Sequence, residues 1–574
     1  MNATLTEVLE RAAGLDKPDT GLRYLDRHER ETWVSYPDLV ERTACVAGGL
    51  SALGVQRGDT VAIVMPTVPE FTDVFFGVMR LGAIPVPLYP PVRLGRLDEY
   101  HAQTAAMITH AKSRVLVTDE RAGKLMGTTV AACNAPVRIV RARSLLKAEP
   151  APAAPSQPHD IAMVQFSSGT TGEPKPVALT HQQVLANASA ILMDIEPEDD
   201  SFNPSGVTWL PLYHDMGLIG CIFPALLYPA SLTLIPPEAF LAKPAIWLRA
   251  LSRYRGLISP APNFAYALCT ERISDEEIDG IDLSGWRFAL NGAEATSPET
   301  MRAFHARFAP YGLRETALTP VYGLSEAALA VSFSEPESVF RSARFSRDGL
   351  AAGRVEVADD GMELASVGRP LRGFSIEIRG ACGPTPPGQI GRIWVKGPSV
   401  MDGYLDDRPA PKDGDWLDTG DLGFMHNGEL FITGRAKDVL VVHGRNHDPH
   451  TLERATDPLT GVRTGCSAAV SQVSDHGERI ILFVETRGTV PDDLAESIIR
   501  AVRSATSVSV DEVVLLDPGT LPRTSSGKIR RAEALKQWSD GVLAPPKTMG
   551  AARLLGAVAH SAMTEWRGRS SSRD

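Results

Sequence analysis

The stretch Ile161–Ile195 carries the reading that decides the fold class. It runs IAMVQF (161–166), SSGTTGEPKP (167–176), VALT (177–180) and HQQVLANASAILMDI (181–195). The two short apolar runs predict strands on either side of a turn-rich loop. From His181 onward, Val184, Leu185, Ala188, Ile191 and Leu192 fall on one helical face. Thr180 with Gln183 makes a capping box at the helix start, each side chain answering a backbone donor that the first turn leaves unpaired. A Ser/Thr/Gly loop therefore sits between two strands, with a helix just beyond. Glycines let the backbone approach an anion closely, hydroxyls and amides donate to phosphate oxygens, and Lys175 adds a positive charge. The loop is not the G-x-x-x-x-G-K-[ST] nucleotide pattern, because Gly169 is followed at the wrong distance by Pro174-Lys175-Pro176. Alone, it reads equally well as a polar turn.

Toward the amino terminus, TVAIVM (60–65), PEFTDVFFGVMRLGA (69–83), IPVPLY (84–89), RVLVTD (114–119) and VRIV (137–140) alternate strand-like and helix-like patterns. Such alternation predicts α/β layers with largely parallel strands. KAEPAPAAPSQPH (147–159) is rich in Pro and Ala and reads as an exposed linker between subdomains. Met216–Pro237 carries no charge and is about as long as a membrane span. Pro224, Pro229, Pro236 and Pro237 interrupt it, however, so a buried helix to about Tyr228, then a turn and the β-rich SLTLI, is expected instead of a span.

The whole chain has 574 residues, 43% hydrophobic and 22% charged, enough for several packed domains. With 58 basic against 69 acidic residues, a net of -11 and no Lys/Arg-rich run, a nucleic-acid surface is disfavoured while a local anion site is not. Six scattered cysteines without a Cys-x-x-Cys pair suit a reducing compartment, and MNATLTEVLERAAG is not a secretory signal, so a cytoplasmic location is expected. Near Gly434 the pattern changes to a compact unit ending about Trp538. From Ser539 it loosens through APPKT to a short amphipathic helix and a disordered RGRSSSRD.

Downstream of the loop come WLPLYHDMG (209–217), NGAEA (291–295), VYGLSEA (321–327), WLDTGDLG (416–423), GRAKD (434–438) and LPRTSSGKI (521–529). In order and wording, the loop and these six segments resemble the motif series of the adenylate-forming, acyl-activating superfamily, over about residues 20–540. The resemblance implies an α/β fold: a large amino-terminal adenylation domain of several subdomains (1–434), a small mobile α+β domain (435–540) and a tail (541–574). It implies ATP-dependent activation of a carboxylic acid as acyl-AMP, with Mg²⁺. By resemblance, Ser167, Ser168, Gly169, Thr170, Thr171, Gly172 and Lys175 cradle phosphates. Glu326, with Thr170, holds the metal. Tyr322, with Gly323, Leu324 and Ser325, lies beside the adenine, and Asn291, Gly292, Ala293 and Glu294 complete the nucleotide wall. Asp421 accepts from the ribose hydroxyls and Arg435 contacts the same nucleotide. Lys528 is the catalytic lysine that bridges carboxylate and phosphate, and Lys437 marks the hinge.

His214-Asp215 suggests a nucleophile–base pair, but no G-x-S-x-G elbow accompanies it. By resemblance His214 lines the carboxylate end of an acyl pocket walled by Met216, Gly217, Gly220, Asn263 and Phe264. Gly217 and Gly220 leave room there for a long or bulky acid. Within the superfamily, LYPP (88–91, where Leu88 begins the run), LPLYHDMGLIG, SEAALAVSF, GPSVMDGY (397–404) and the long polar insertion near 334–364 look more like fatty acyl-AMP ligases than CoA ligases. Such ligases pass the acyl group to the thiol of an acyl carrier protein. No carrier motif occurs in this chain, so the carrier is expected to be a separate protein. The rivals are a CoA ligase on the same scaffold and a catalytically inactive binding protein. Two departures stand out: Pro176 where the family usually has glycine, and Asp448 where tyrosine is common.

Overall fold

The structure, a computed structural model, describes residues 3–571 except Arg93 and residues 168–173, 196–204, 443–444, 475–476, 507, 525–526 and 547–550. The amino-terminal alternation folds as expected. Ile84–Leu88, Thr60–Val64, Val115–Thr118 and Arg138–Arg141 lie side by side in that order, all parallel. Val61, Ala62, Ile63 and Val64 are fully buried, as in a parallel sheet covered on both faces. Helix Pro69–Arg80 begins on a proline, where a missing N–H costs nothing, and buries Phe71, Val74 and Phe75.

A second sheet, of nine strands among the described residues, has parallel inner strands: Ser231–Leu234, Gly206–Thr208, Ile258–Ala261, Phe288–Asn291 and Leu318–Gly323. Parallel strands end at one edge, so the segments after them converge there, the usual place for a ligand in such sheets. A third, antiparallel sheet carries Gly391–Lys396, Trp416–His426 and Glu429–Arg435. Ile161–Ser167 and Lys175–Thr180 form an antiparallel hairpin with Ser167 opposite Lys175. The capping box is present: the Thr180 N–H donates to Gln183 Oε1 (2.9 Å) and the Gln183 N–H to Thr180 Oγ1 (3.2 Å).

Residues 147–159 form no regular element and are strapped to the body. The Ala151 N–H donates to the Ala44 carbonyl and the Ala154 N–H to that of Arg80. The uncharged stretch becomes a helical turn Asp215–Gly217, a π-helical turn Leu218–Ile222, a helix Phe223–Leu227 and the strand Ser231–Leu234. Among the described residues no helix is long and apolar enough to cross a membrane.

The polar insertion is folded. Ser342–Phe345 pairs antiparallel with Met362–Ala365, and helix Arg347–Ala351 lies between them. Phe345 packs against Phe424 and Phe431 of the third sheet, ring centres 4.9 and 5.4 Å away. Asp348 meets Arg445 at 2.6 Å.

Beyond Leu440 the chain builds a separate core from Leu452, Leu482, Ile498 and Val502, around Val462–Ser474, Gly477–Thr486 and Glu512–Leu516. Asp448 has a structural use: its carboxylate caps helix Pro449–Arg454, accepting from the His450 N–H at 3.2 Å.

The tail differs from the expectation of a short helix and a loose end. Helix Ala551–Ser571 is 21 residues long and returns to the first subdomain, against helix Met126–Ala131. Ala557 and Val558 pack on the core of the parallel four-stranded sheet. The Gly127 N–H donates to the buried Ser561 hydroxyl at 2.8 Å. Apolar docking supplies the stability that local composition did not advertise.

Candidate active site

One cavity of about 410 Å³ opens where the convergent loops of the nine-stranded sheet meet the hairpin, the third sheet and the carboxy-terminal unit. Its polar side brings together residues far apart in sequence. Ser167 and Lys175 from the two ends of the hairpin loop line it, and so do Tyr322, Gly323, Leu324, Ser325 and Glu326. Arg435, Lys437 and Lys528 line it from the carboxy-terminal side. His214, Met216, Gly220 and Ala293 line the facing wall, where Leu290, Val321, Leu329 and Phe333 make the surface apolar. Ser168, Gly169, Thr170, Thr171 and Gly172 lie outside the described residues.

Several expected residues stand behind this surface. Asp421 is buried, taking the Tyr322 hydroxyl at 2.7 Å and Arg435 Nε at 3.1 Å. Asn291 is fully buried and donates to Asn263 Oδ1, which also accepts from the Ser297 N–H. Glu294 accepts from the Phe264 N–H at 2.7 Å. Asn263 and Phe264 thus brace the loop after strand Phe288–Asn291 and do not line the cavity. The Phe264 ring meets Trp209 edge-on at 5.9 Å. Gly217 is not an open wall either: a Cβ there would lie 2.3 Å from the Pro211 carbonyl oxygen, so glycine permits a close backbone contact. Gly292 has the same use against Val321, whereas a Cβ on Gly220 would meet the Leu329 side chain at 2.8 Å, on the cavity side.

Three features had no assigned role in the motif reading. Tyr404, at the end of GPSVMDGY, donates to Glu326 Oε1 at 3.3 Å and receives Lys175 Nζ over its ring at 5.4 Å. Arg392 and Arg408 line the cavity, the first paired with Asp418 at 2.8 Å and the second held by Asp406. Asp215 is buried against His214 and Ser325. Their signals are spread across segments, so spacing alone does not reveal them. His450, from the histidine-rich HGRNHDPH, faces Glu453 at 3.3 Å.

The electrostatics favour a polyanion. Lys175, Arg392, Arg408, Arg435, Lys437 and Lys528 line the cavity against Asp215, Glu326 and Asp418. Burial and the nearby Arg435 lower the proton affinity of Lys528, with Asp215, Asp421 and Glu294 opposing. Burial alone would raise the Asp215 carboxyl, but His214, Ser325 and the Met216 N–H outweigh it and bring it to about 2. The Tyr322 phenol is pushed well up by burial and by Asp421, so it stays a donor.

A cationic cleft at the carboxyl edge of a parallel sheet, beside an apolar wall, matches the family comparison. The family model for AMP-binding enzymes matches residues 10–405. The chain belongs to the AMP-binding enzyme family. This AMP-binding enzyme is 36% identical to a 4-hydroxyphenylalkanoate adenylyltransferase of Mycobacterium marinum, over 94% of this chain and 92% of that one. It is similar to a structure from studies of fatty acyl-adenylate ligases of E. coli and L. pneumophila: TM-score 0.86, 31% identity, 94% of this chain and 98% of the other. It is also similar to the L. pneumophila fatty acyl-adenylate ligase in complex with acyl adenylate and pyrophosphate, with TM-score 0.71, 30% identity, and 94% and 96% coverage. The adenylate-forming ligase fold read from the motifs is the fold of this AMP-binding enzyme.

Proposed function

We propose that this AMP-binding enzyme activates an apolar carboxylic acid with ATP, releasing pyrophosphate, and passes the acyl group to the thiol of a separate acyl carrier protein. The observation that carries this is one cavity in which Lys528, Arg435, Glu326 and His214 face a wall of Leu290, Val321, Leu329 and Phe333. The acyl-adenylate and pyrophosphate bound to the similar L. pneumophila ligase support it.

In the first step a carboxylate oxygen attacks the α-phosphorus. A C–O–P linkage forms, the bond between the α-phosphorus and the bridging oxygen breaks, and pyrophosphate leaves with the electron pair. Lys528 faces the charge that gathers there, and its half-buried setting strengthens the interaction. His214 holds the acid's carboxylate, and the apolar wall keeps its chain dry. Tyr322 lies beside the adenine, and Asp421, with Arg435, takes the ribose. In the second step the carrier thiol, losing its proton, attacks the acyl carbon. A C–S bond forms, the bond between the acyl carbon and the phosphate oxygen breaks, AMP leaves with that electron pair, and the thiol's proton passes to solvent.

Glu326 suits Mg²⁺: it lines the same cavity as Ser167 at the loop entry, and a hard cation prefers oxygen donors. Thr170 is the expected second oxygen, outside the described residues. The cation, when bound, neutralises phosphate charge. We assign residues 1–434 and 435–540 to two domains with Lys437 at the hinge.

The test is acid-dependent exchange of labelled pyrophosphate into ATP across fatty, aryl-alkanoic and polycyclic acids. Exchange with an apolar acid, followed by acylation of a holo-carrier but not of CoA, is the expected result. Rapid acyl-CoA formation would replace the acceptor, and no exchange with any acid would leave only a binding protein.

A further inference from the structure

The acid side and the nucleotide side of the cavity are joined by one carboxylate. Asp215 is 5% exposed and accepts three hydrogen bonds. Its Oδ1 takes His214 Nδ1 at 2.5 Å and the Met216 N–H at 2.8 Å. Its Oδ2 takes the Ser325 hydroxyl, from the residue directly before Glu326. With Nδ1 committed to Asp215, Nε2 is the His214 nitrogen left for the cavity, and the carboxylate sets the ring's orientation. The short helical turn that carries Asp215 passes straight into the π-helical turn holding Gly220, so the same anchor borders the apolar wall.

Building on the adenylation reading, we propose that Asp215 is a positioning residue: it locks His214 toward the acid's carboxylate and ties that histidine to Ser325 of the nucleotide segment, so that carboxylate and α-phosphate meet in register. Adenylation depends steeply on this register, because a near-attack geometry between two bound reactants is lost with displacements of about 1 Å. Both Asp215 oxygens are engaged by His214, the Met216 N–H and Ser325, so it acts through His214 and Ser325. Its charge also opposes the two influences, burial and Arg435, that drain the proton from Lys528.

The experiment is pyrophosphate exchange by the full-length chain as wild type, D215N, H214A, the H214A/D215N double variant and S325A. ATP binding by calorimetry without acid and thermal melting accompany it. D215N is nearly isosteric and keeps an acceptor for the Met216 N–H. It is expected to lower kcat/KM for the acid by roughly 10- to 100-fold, the loss of a charge-assisted hydrogen bond. ATP affinity should stay within about threefold. In the H214A background D215N should cost little more, because residues acting as a unit are not additive. S325A, which leaves the His214 contact intact, should show a smaller fall. The proposal is overturned if D215N exchanges as well as wild type, if acid and ATP terms fall together with the melting temperature, or if the two substitutions add fully. Wild type that exchanges with no acid would remove the adenylation reading itself, whereas active wild type with an unaffected D215N removes only the role of Asp215.

Discussion

The Tyr322 hydroxyl donates to the Asp421 carboxylate over 2.7 Å, joining the end of strand Leu318–Gly323 to strand Trp416–His426 of a different sheet. Arg435 closes the group from the far side at 3.1 Å. The site proposed for a ribose is therefore also a seam between sheets, held by Tyr322, Asp421 and Arg435.

Asp421→Ala follows from this double use. It is expected to weaken ATP binding by about 10- to 100-fold, the value of a charged hydrogen bond, and to cost about 1–3 kcal/mol of stability by removing the carboxylate that Tyr322 and Arg435 share. Calorimetry with ATP and a denaturant titration measure the two effects separately. Undiminished ATP affinity would remove Asp421 from the ribose.

Lys528→Ala should lower pyrophosphate exchange by about 100- to 1000-fold while ATP still binds. Since burial and Arg435 lower the lysine's proton affinity, its charge is present at low pH and lost at a lower pH than for an exposed lysine. The wild-type rate should accordingly decline on the alkaline side. Lys528→Arg, which retains charge, should move that limb upward even at a reduced maximum. A limb identical in both proteins would assign it to another group.

Asp457 offers a test of stability against pH. Burial raises its carboxyl from 3.8 to about 6, against the Gly465 N–H and Arg454. The folded state thus binds more protons than the unfolded one between those values, and stability falls as pH rises through that window. Asp457→Asn removes the penalty, and its amide oxygen can still accept from Gly465. At pH 8 it should be more stable by on the order of 1–3 kcal/mol, the gap closing as pH falls toward 4. Melting curves at several pH values settle it; a constant gap would refute the assignment.

Gly220→Trp should shift preference toward shorter acids, because a side chain there runs into Leu329 on the apolar wall. An exchange assay over a chain-length series reads the shift. An unchanged profile would place the chain of the acid elsewhere.

Gly127→Leu tests the tail. Its Cβ would lie 1.9 Å from the Ser561 carbonyl oxygen, so helix Ala551–Ser571 must leave its seat. Limited proteolysis should then release the tail well before the body is cut. Equal protection in the variant and wild type would show that the helix is held by other contacts.

Much of this molecule was readable from local pattern. The hairpin, the Thr180–Gln183 cap and the parallel strands follow from periodicity and turn chemistry that depend only on neighbours in the chain. Segments that meet at the cavity were readable because Ser167, Glu326 and Lys528 lie in recognisable motifs. Other features depend on partners far away in sequence. Gly217 looked like an open wall, yet the Pro211 carbonyl fills that space. Asn263 and Phe264 looked like pocket residues, yet hydrogen bonds to Asn291 and Glu294 turn them into a brace. The terminal helix is weakly patterned in isolation, and only the first subdomain supplies its apolar contacts. Tertiary packing decides such positions, and no window of sequence contains it.

The seat of that helix changes what the carboxy-terminal unit can do. Arg96 of the body grips the carbonyls of Gly519, Thr520 and Ala544, and beyond Ser539 the chain returns to Gly127. The unit is a span moored on both banks, unlike a pendant free at one end. Between Ser539 and Ala551 the chain can stretch to roughly 40 Å, so any swing that releases the Arg96 grip but keeps the terminal helix seated is confined to that leash.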